Sequence, residues 1–432
     1  MYRNDYGVKM QEAKMTNAVK ISVTERQAVL PREVWVGWFS SLVEAYNMAI
    51  YSFTAPFLSK LIFSQETAWT AVFFSYCLLF LGSCFFYPLG AAYYGLIGDR
   101  RGRNRTCLYS TFGLTVATGL MGLVPIHFLG SWAWVLFCFL ICLQYFFSGG
   151  EYSGSIVFSL EHAEGKKRGL MSGLGCLFAV VGLLLANGCA ALSLQMQNEH
   201  WVRACFLLGA GGGVLSYLLK NHCRETPAFS SLSKNSLESM ELFSLIRSRW
   251  PRICGTVLVI GLFFIFASFI FLFLPLAYAD SVNITGFETF QSMIVYGICL
   301  VIAGWAADRI GVAKMIGIGA FLLALSTALL CLYCTDLLLT QIVLTVFACM
   351  VIGPIHGWTL RQFEVQERCR GIFISSAIAM ALFGGSTVPI CLLIFEKTHS
   401  LALCGIYPAS MSFLTFLYLK GQVHSKLDFV HF

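Results

Sequence analysis

The sequence predicts an all-α integral membrane protein: twelve transmembrane helices in two pseudo-symmetric six-helix bundles, with both termini cytoplasmic. Three observations carry this expectation. The 432 residues are 57% hydrophobic and only 12% charged, with a mean hydropathy of +0.74; soluble domains carry roughly 25% charged residues. Apolar stretches of about 18 residues or more recur along the whole chain, each long enough to cross a bilayer as a helix. A short motif in the first half returns in the second at matching offsets.

Twelve apolar segments alternate with polar loops, at 34–59, 69–97, 107–128, 132–158, 169–193, 201–219, 253–279, 287–307, 313–334, 338–360, 371–395 and 401–419. Residues 1–33 are polar and mixed in charge, which reads as a cytoplasmic tail with no cleavable signal peptide. The first bundle is expected over 34–219, a cytoplasmic central loop over 220–252, the second bundle over 253–419 and a short cytoplasmic tail over 420–432. Counting the tails and every second loop as one side places 26 of the 29 Lys and Arg residues there. Only Lys60, Arg203 and Lys397 fall on the other, and the positive-inside rule makes the basic side cytoplasmic. The central loop contains "SKNSLESMELFSLIRSRWPR", where Ser233 or Asn235 can cap a short amphipathic helix.

"GLIGDRRG" starts at Gly95 and "GWAADRIG" at Gly304, each after the second span of its half. Gly95, Asp99, Arg100 and Gly102 match Gly304, Asp308, Arg309 and Gly311, with Arg103 following in the first copy. A weaker echo pairs "EHAEGKKRG" with "EVQERCRG", aligning Glu161 and Arg168 with Glu364 and Arg370 between the fourth and fifth spans of each half. Duplicated six-span halves place a binding site between them at mid-membrane.

Two carboxylates lie well inside spans. Glu44, Asn47 and Tyr51 share one face of span 1, with Tyr46 nearby, and Gln144, Ser148, Glu151 and Ser155 form a stripe on span 4. Two such stripes suit a water-lined central cavity, because an intramembrane charge must be paired, wet or protonated. Desolvation favours the neutral acid, so either carboxylate can take and release a proton. The bland alternative for Glu151 is an interhelical hydrogen bond that pins two helices. His356, beside Pro354 in span 10, can join a proton relay or simply pack. Gly384, Gly385 and Pro389 suit a hinge in span 11, or close helix packing.

No Lys or Arg occupies the centre of a span, so a multivalent anion would lack a fixed cationic partner. Tyr46, Tyr51, Tyr76, Tyr152 and Trp358 can instead face an ammonium. The 17 cysteines sit mostly singly in apolar spans, and Cys331 and Cys334, though spaced CxxC, have no second pair nearby; neither a metal nor a cofactor is expected. The net charge of +7 is split among short loops and is no nucleic-acid footprint. No HExxH or GxSxG constellation suggests an enzyme. An Asn283–Thr285 glycosylation sequon falls in an outward loop and would matter only in a secretory-pathway host.

"GLIGDRRGR" meets in full, and "GWAADRIG" in part, the GxxxDRxGR loop of the major facilitator superfamily, which the sequence resembles. Within it, "LVEAYNMAIYSF", "LQYFFSGGEYSG" and "FGGSTVP" are similar to the metabolite:proton symporters, a group with proline/betaine, alpha-ketoglutarate, citrate and shikimate permeases. Three positions depart from the group's pattern: Asn47 stands where it has Asp, Ile141 where it has Arg and Tyr145 where it has Gly. The resemblance implies alternating access in a bacterial inner membrane, with the loop charges gating the cytoplasmic face. It further implies proton symport of a small organic solute, a proline- or betaine-like zwitterion or small carboxylate, by a monomer using Glu44, Glu151 or both. With the group's arginine replaced by Ile141, Glu151 is expected to be neutral and protonated at rest. A uniporter or exchanger of a dicarboxylate, phosphate or sugar is the alternative within transport, and a non-transporting sensor the alternative outside it.

Overall fold

A computed structural model describes residues 30–62, 68–163, 167–196, 199–232, 242–278, 285–334 and 336–424. Among the described residues there are twelve long helical rods and no strand. They are α1 (Arg32–Ile62), α2 (68–101), α3 (Arg103–Leu123), α4 (Ala133–His162), α5 (Arg168–Met196) and α6 (Glu199–Asn221). The second half follows as α7 (Leu242–Ala277), α8 (Thr285–Ile310), α9 (Val312–Tyr333), α10 (Leu337–Thr359), α11 (Arg368–Thr398) and α12 (Leu401–His424).

Eleven of the rods are long and apolar enough to cross a membrane. The exception is α1, whose buried Ser40, Ser41, Glu44, Asn47, Ser52 and Thr54 dilute its hydropathy. These groups lie inside the protein rather than in lipid, and several bond there: Ser41 and Thr54 to carbonyls of their own helix, Ser40 and Glu44 to side chains of α4. The outer faces carry the opposite chemistry: Leu89, Phe112, Phe139, Leu208, Ile298 and Leu332 are all more than half exposed. The chain is thus a multi-pass membrane protein.

The packing repeats between halves. α1 packs on α4, α5 and α6, as α7 packs on α10, α11 and α12; α3 packs on α4 and α6, as α9 packs on α10 and α12. The halves meet along two symmetry-related seams, α5 with α8 and α2 with α11. Small residues allow the close approach: a Cβ on Gly304 would stand 2.4 Å from the Gly169 carbonyl oxygen.

Two expectations for the central loop need correction. α7 begins at Leu242, eleven residues before the expected span, and runs through Pro251. The "LFSLIRSRWPR" segment is therefore the first turns of a membrane helix and not a separate amphipathic one. Ser233 and Asn235 lie outside the described residues, as does Asn283 of the sequon. At the loop's other end, Lys220 belongs to the last turn of α6, with its side chain fully buried.

α2, α7 and α11 each contain a π-helical turn, at Gly82–Phe86, Phe269–Phe273 and Met380–Gly384. Such turns widen the helix locally and recur at functional sites. All three border the space between the halves. There Gly384 closes one π turn, and its neighbour Gly385 presses on Ser83 of another, so the glycine pair serves close packing here.

Candidate functional site: a one-carboxylate cavity and a reciprocal latch

At the motif-bearing end the two halves are fastened by their own repeated loop. The Asp99 carboxylate accepts hydrogen bonds from the backbone N–H groups of Cys369 (3.0 Å) and Arg370 (3.1 Å) and from Arg370 Nε (2.9 Å). Asp308 accepts from the backbone N–H groups of Gly169 (2.8 Å) and Leu170 (2.9 Å). Each motif aspartate thus caps the fifth helix of the opposite half, at its second and third residues, where unpaired N–H groups and the helix dipole favour an anion. The helix starts at Arg168 and Arg368 set the equivalence, so Gly169 corresponds to Cys369. The sequence echo, which paired Gly169 with Gly371, is two residues out of register.

Gly102 and Gly311, the last residues of the two motif copies, hold φ of +111° and +104°. Both make the turn between paired helices in backbone that side chains disfavour. Around Asp99 the charges form a network. Arg103, 1% exposed, donates to the Gly98 carbonyl (2.7 Å), reaches the Val365 carbonyl of the other half, and lies 3.4 Å from Glu161. Glu161 also binds Arg368 (2.7 Å) and the Thr226 hydroxyl (2.6 Å). Glu364 meets Arg249 at 3.1 Å on the surface, where an exposed pair contributes little. Arg309 lies 3.7 Å over the Trp305 ring of its own helix, Arg100 is exposed, and Arg168 opens α5.

Beyond this latch the halves enclose a cavity of about 220 Å³. α1 contributes Ser41, Glu44, Met48 and Ser52, and α4 contributes Tyr145, Ser148 and Tyr152. The second half supplies Phe263, Phe264 and Phe271 from α7, Tyr296 from α8 and His356 from α10. The Tyr152 ring stacks parallel to Phe263 at 5.9 Å and meets His356 edge-on at 5.9 Å. Among the described lining residues Glu44 is the one carboxylate, and there is no Lys or Arg. Ser148 donates to Glu44 Oε1 at 2.6 Å, while Glu44 Oε2 has no partner among the described residues.

Glu151 stands elsewhere. It does not line the cavity; its oxygens face Ser40 of α1, Ser110 and Thr111 of α3, Ser155 of α4 and the Lys220 ammonium of α6, all within 2.9 Å. The expectation of a neutral Glu151 is therefore overturned. Lys220 replaces the missing arginine as its cation, and five donors saturate the carboxylate.

The expected polar stripes also face differently. Gln144 donates to the Asn47 carbonyl and to Thr118, both at 2.9 Å. The Tyr46 hydroxyl donates to the Cys205 carbonyl of α6 (2.8 Å), and Tyr51 packs on Phe137. The Asn47 amide is buried against Gly209 of α6 with no partner among the described residues. The stripes of α1 and α4 thus meet each other as a polar seam inside the first half, and only Glu44 and Ser148 reach the cavity. Of the aromatic residues expected to face an ammonium, Tyr76 and Tyr152 line the cavity; Tyr46, Tyr51 and Trp358 do not.

Residues 37–303 match the Major Facilitator Superfamily. The chain belongs to that superfamily. Among curated members it is similar to the ectoine/proline transporter ProP of Corynebacterium glutamicum, at 23% identity over 89% of this chain and 83% of that protein. It is also similar to a putative proline/betaine transporter of Staphylococcus haemolyticus, at 24% identity over 89% of this chain and 86% of that protein. The fold matches the proton:xylose symporter XylE (TM-score 0.73, 16% identity, 91% of this chain, 95% of that one). It also matches outward-facing FucP (TM-score 0.69, 13% identity, 92% of this chain, 99% of that one). The protein is a secondary transporter of a small molecule and not an enzyme.

For this superfamily member, sequence reasoning grouped Ser155 with Glu151 but missed Lys220, Tyr87 and the other hydroxyl partners of Glu151, Ser40, Ser110 and Thr111. Ser216 and Lys220 are spaced i, i+4 on one face of α6, and in the fold Ser216 bonds Ser40 at 2.9 Å on the same seam. Nothing in the sequence marked that face of α6 as inward.

Proposed function

We propose that the protein is a proton symporter of a small zwitterion of the proline or betaine type, working by alternating access in a bacterial inner membrane, with Glu44 as the proton-carrying group. The contrast between the two buried carboxylates carries this reading: Glu151 is saturated by a cation and four hydroxyls, whereas Glu44 has one donor and an open oxygen facing the cavity. A cavity with one carboxylate and no cation repels a substrate carboxylate while Glu44 is ionised. Once Glu44 is protonated it donates a hydrogen bond to that group instead, so proton and solute bind together. The rings of Phe263, Phe264, Tyr152 and Tyr296 offer cation–π contact to the ammonium end. The Tyr152 hydroxyl, buried with no partner among the described residues, the Tyr87 hydroxyl on the same wall and the His356 ring add donors for the carboxylate end. The names of the curated relatives favour the same solute class. The latch would seal the cytoplasmic side, leaving the cavity to load from the other.

The test is uptake of radiolabelled proline and glycine betaine into proteoliposomes with an imposed inward proton gradient. Wild-type protein accumulates solute. Glu44→Gln loses gradient-driven accumulation but retains solute exchange without a gradient. Accumulation by Glu44→Gln equal to wild type, or uptake of dicarboxylates alone, overturns the reading.

A further inference from the structure

The seam between α1 and α4 is a reciprocal ladder. Ser40 of α1 donates to Glu151 of α4 (2.5 Å), and Ser148 of α4 donates to Glu44 of α1 (2.6 Å). The helices run antiparallel, so the two carboxylates stand on neighbouring rungs, about one helical turn or 5.4 Å apart along the seam. Two ionised carboxylates at that spacing in a poorly solvated seam would hold one proton between them. Lys220 prevents this: its ammonium, itself without solvent exposure, reaches Glu151, Thr111 and Ser155 from the last turn of α6. We propose that Lys220 is a positioning residue for proton coupling: by neutralising Glu151 it leaves Glu44 as the single uncompensated charge that titrates in the transport cycle.

The proposal rests on the reading of Glu44 given above and adds a sign to it. The titratable groups sharing the cavity with Glu44 are His356 and the phenols of Tyr76, Tyr87, Tyr145, Tyr152 and Tyr296, with the Cys176 thiol from α5. Behind it stand the charges of Glu151 and Lys220. Removing the cation leaves Glu151 to repel an ionised Glu44, so Glu44 holds its proton to higher pH. Removing Glu151 leaves a bare cation, which favours ionised Glu44 and lets the proton go at lower pH. A unit charge one turn away moves such a midpoint by about 2 pH units at an effective dielectric of about 20.

The experiment is the pH profile of gradient-free solute exchange by full-length protein in proteoliposomes. Lys220→Met is expected to move the midpoint up, Glu151→Gln to move it down, and Lys220→Met/Glu151→Gln to restore it. Lys220→Arg, which keeps the charge, holds the wild-type midpoint. A purely structural role would lower the rate of every variant without opposite shifts. Should Lys220→Met fail to fold, the charge-free double variant against Glu151→Gln alone decides: a common midpoint overturns the proposal. If Glu44→Gln keeps the wild-type pH profile, the reading of Glu44 falls and this proposal with it. If Glu44→Gln flattens the profile while the single variants shift together or not at all, only the role of Lys220 is refuted.

Discussion

Asp99→Ala removes three charge-assisted hydrogen bonds that join the halves: those from the Cys369 and Arg370 backbone N–H groups and from Arg370 Nε. Asp99 and Arg370 are each 2% exposed, so the variant leaves a guanidinium buried without its carboxylate. Breaking a buried pair in this way costs about 3–5 kcal/mol. At about 1.4 kcal/mol per decade the latch opens about 10²- to 10⁴-fold more often. Asp308→Ala removes two backbone bonds from a half-buried carboxylate that has no arginine partner among the described residues. The loss is then closer to that of an ordinary helix cap, about 1–2 kcal/mol. Hydrogen exchange read by mass spectrometry measures this directly, because the protected amides are those of Cys369, Arg370, Gly169 and Leu170 themselves. Asp99→Ala should raise exchange in peptides covering both caps, since one opening exposes both, and Asp308→Ala should do so more weakly. Unchanged protection at Cys369 and Arg370 in Asp99→Ala, or a larger effect from Asp308→Ala, would refute the reasoning.

Gly102→Ala should destabilise more than Gly311→Ala, although both hold positive φ: a Cβ at Gly102 would stand 2.2 Å from Glu225 Oε2, which caps α3, whereas the space at Gly311 is open. Thermal unfolding in detergent would show a difference of about 1–3 kcal/mol, and equal losses would count against it. Phe263→Leu removes the ring stacked on Tyr152 and should raise KM for betaine about 3- to 30-fold with little change in KM for an uncharged competitor; an equal rise for both would contradict a cation–π role. Glu161→Gln cuts the bridge between Arg103 and Arg368 and should mimic a weaker Asp99→Ala in hydrogen exchange, while Glu364→Ala, exposed at its pair with Arg249, should not register.

Composition, hydropathy and the basic loops were enough to determine the helical membrane class, and the repeated GxxxDR loop to determine that the fold is two copies of one plan. Those features are local: a span needs only its own apolar length, and a motif glycine only its own turn. The pairing of each motif aspartate with the opposite half was not legible, since hydrogen bonds to backbone N–H groups leave no residue signature. Helical spacing grouped Glu44, Asn47 and Tyr51 on one face but could not say whether that face met water or another helix. Tertiary packing decided that it meets α4 and α6, leaving Glu44 at the edge of the cavity and Glu151 behind it. Lys220 shows the reason most plainly: counted by position it is one more basic residue at a membrane boundary. Its four-carbon stem carries the charge inward along α6, and only the three-dimensional arrangement of α1, α3, α4 and α6 determines that a carboxylate waits there.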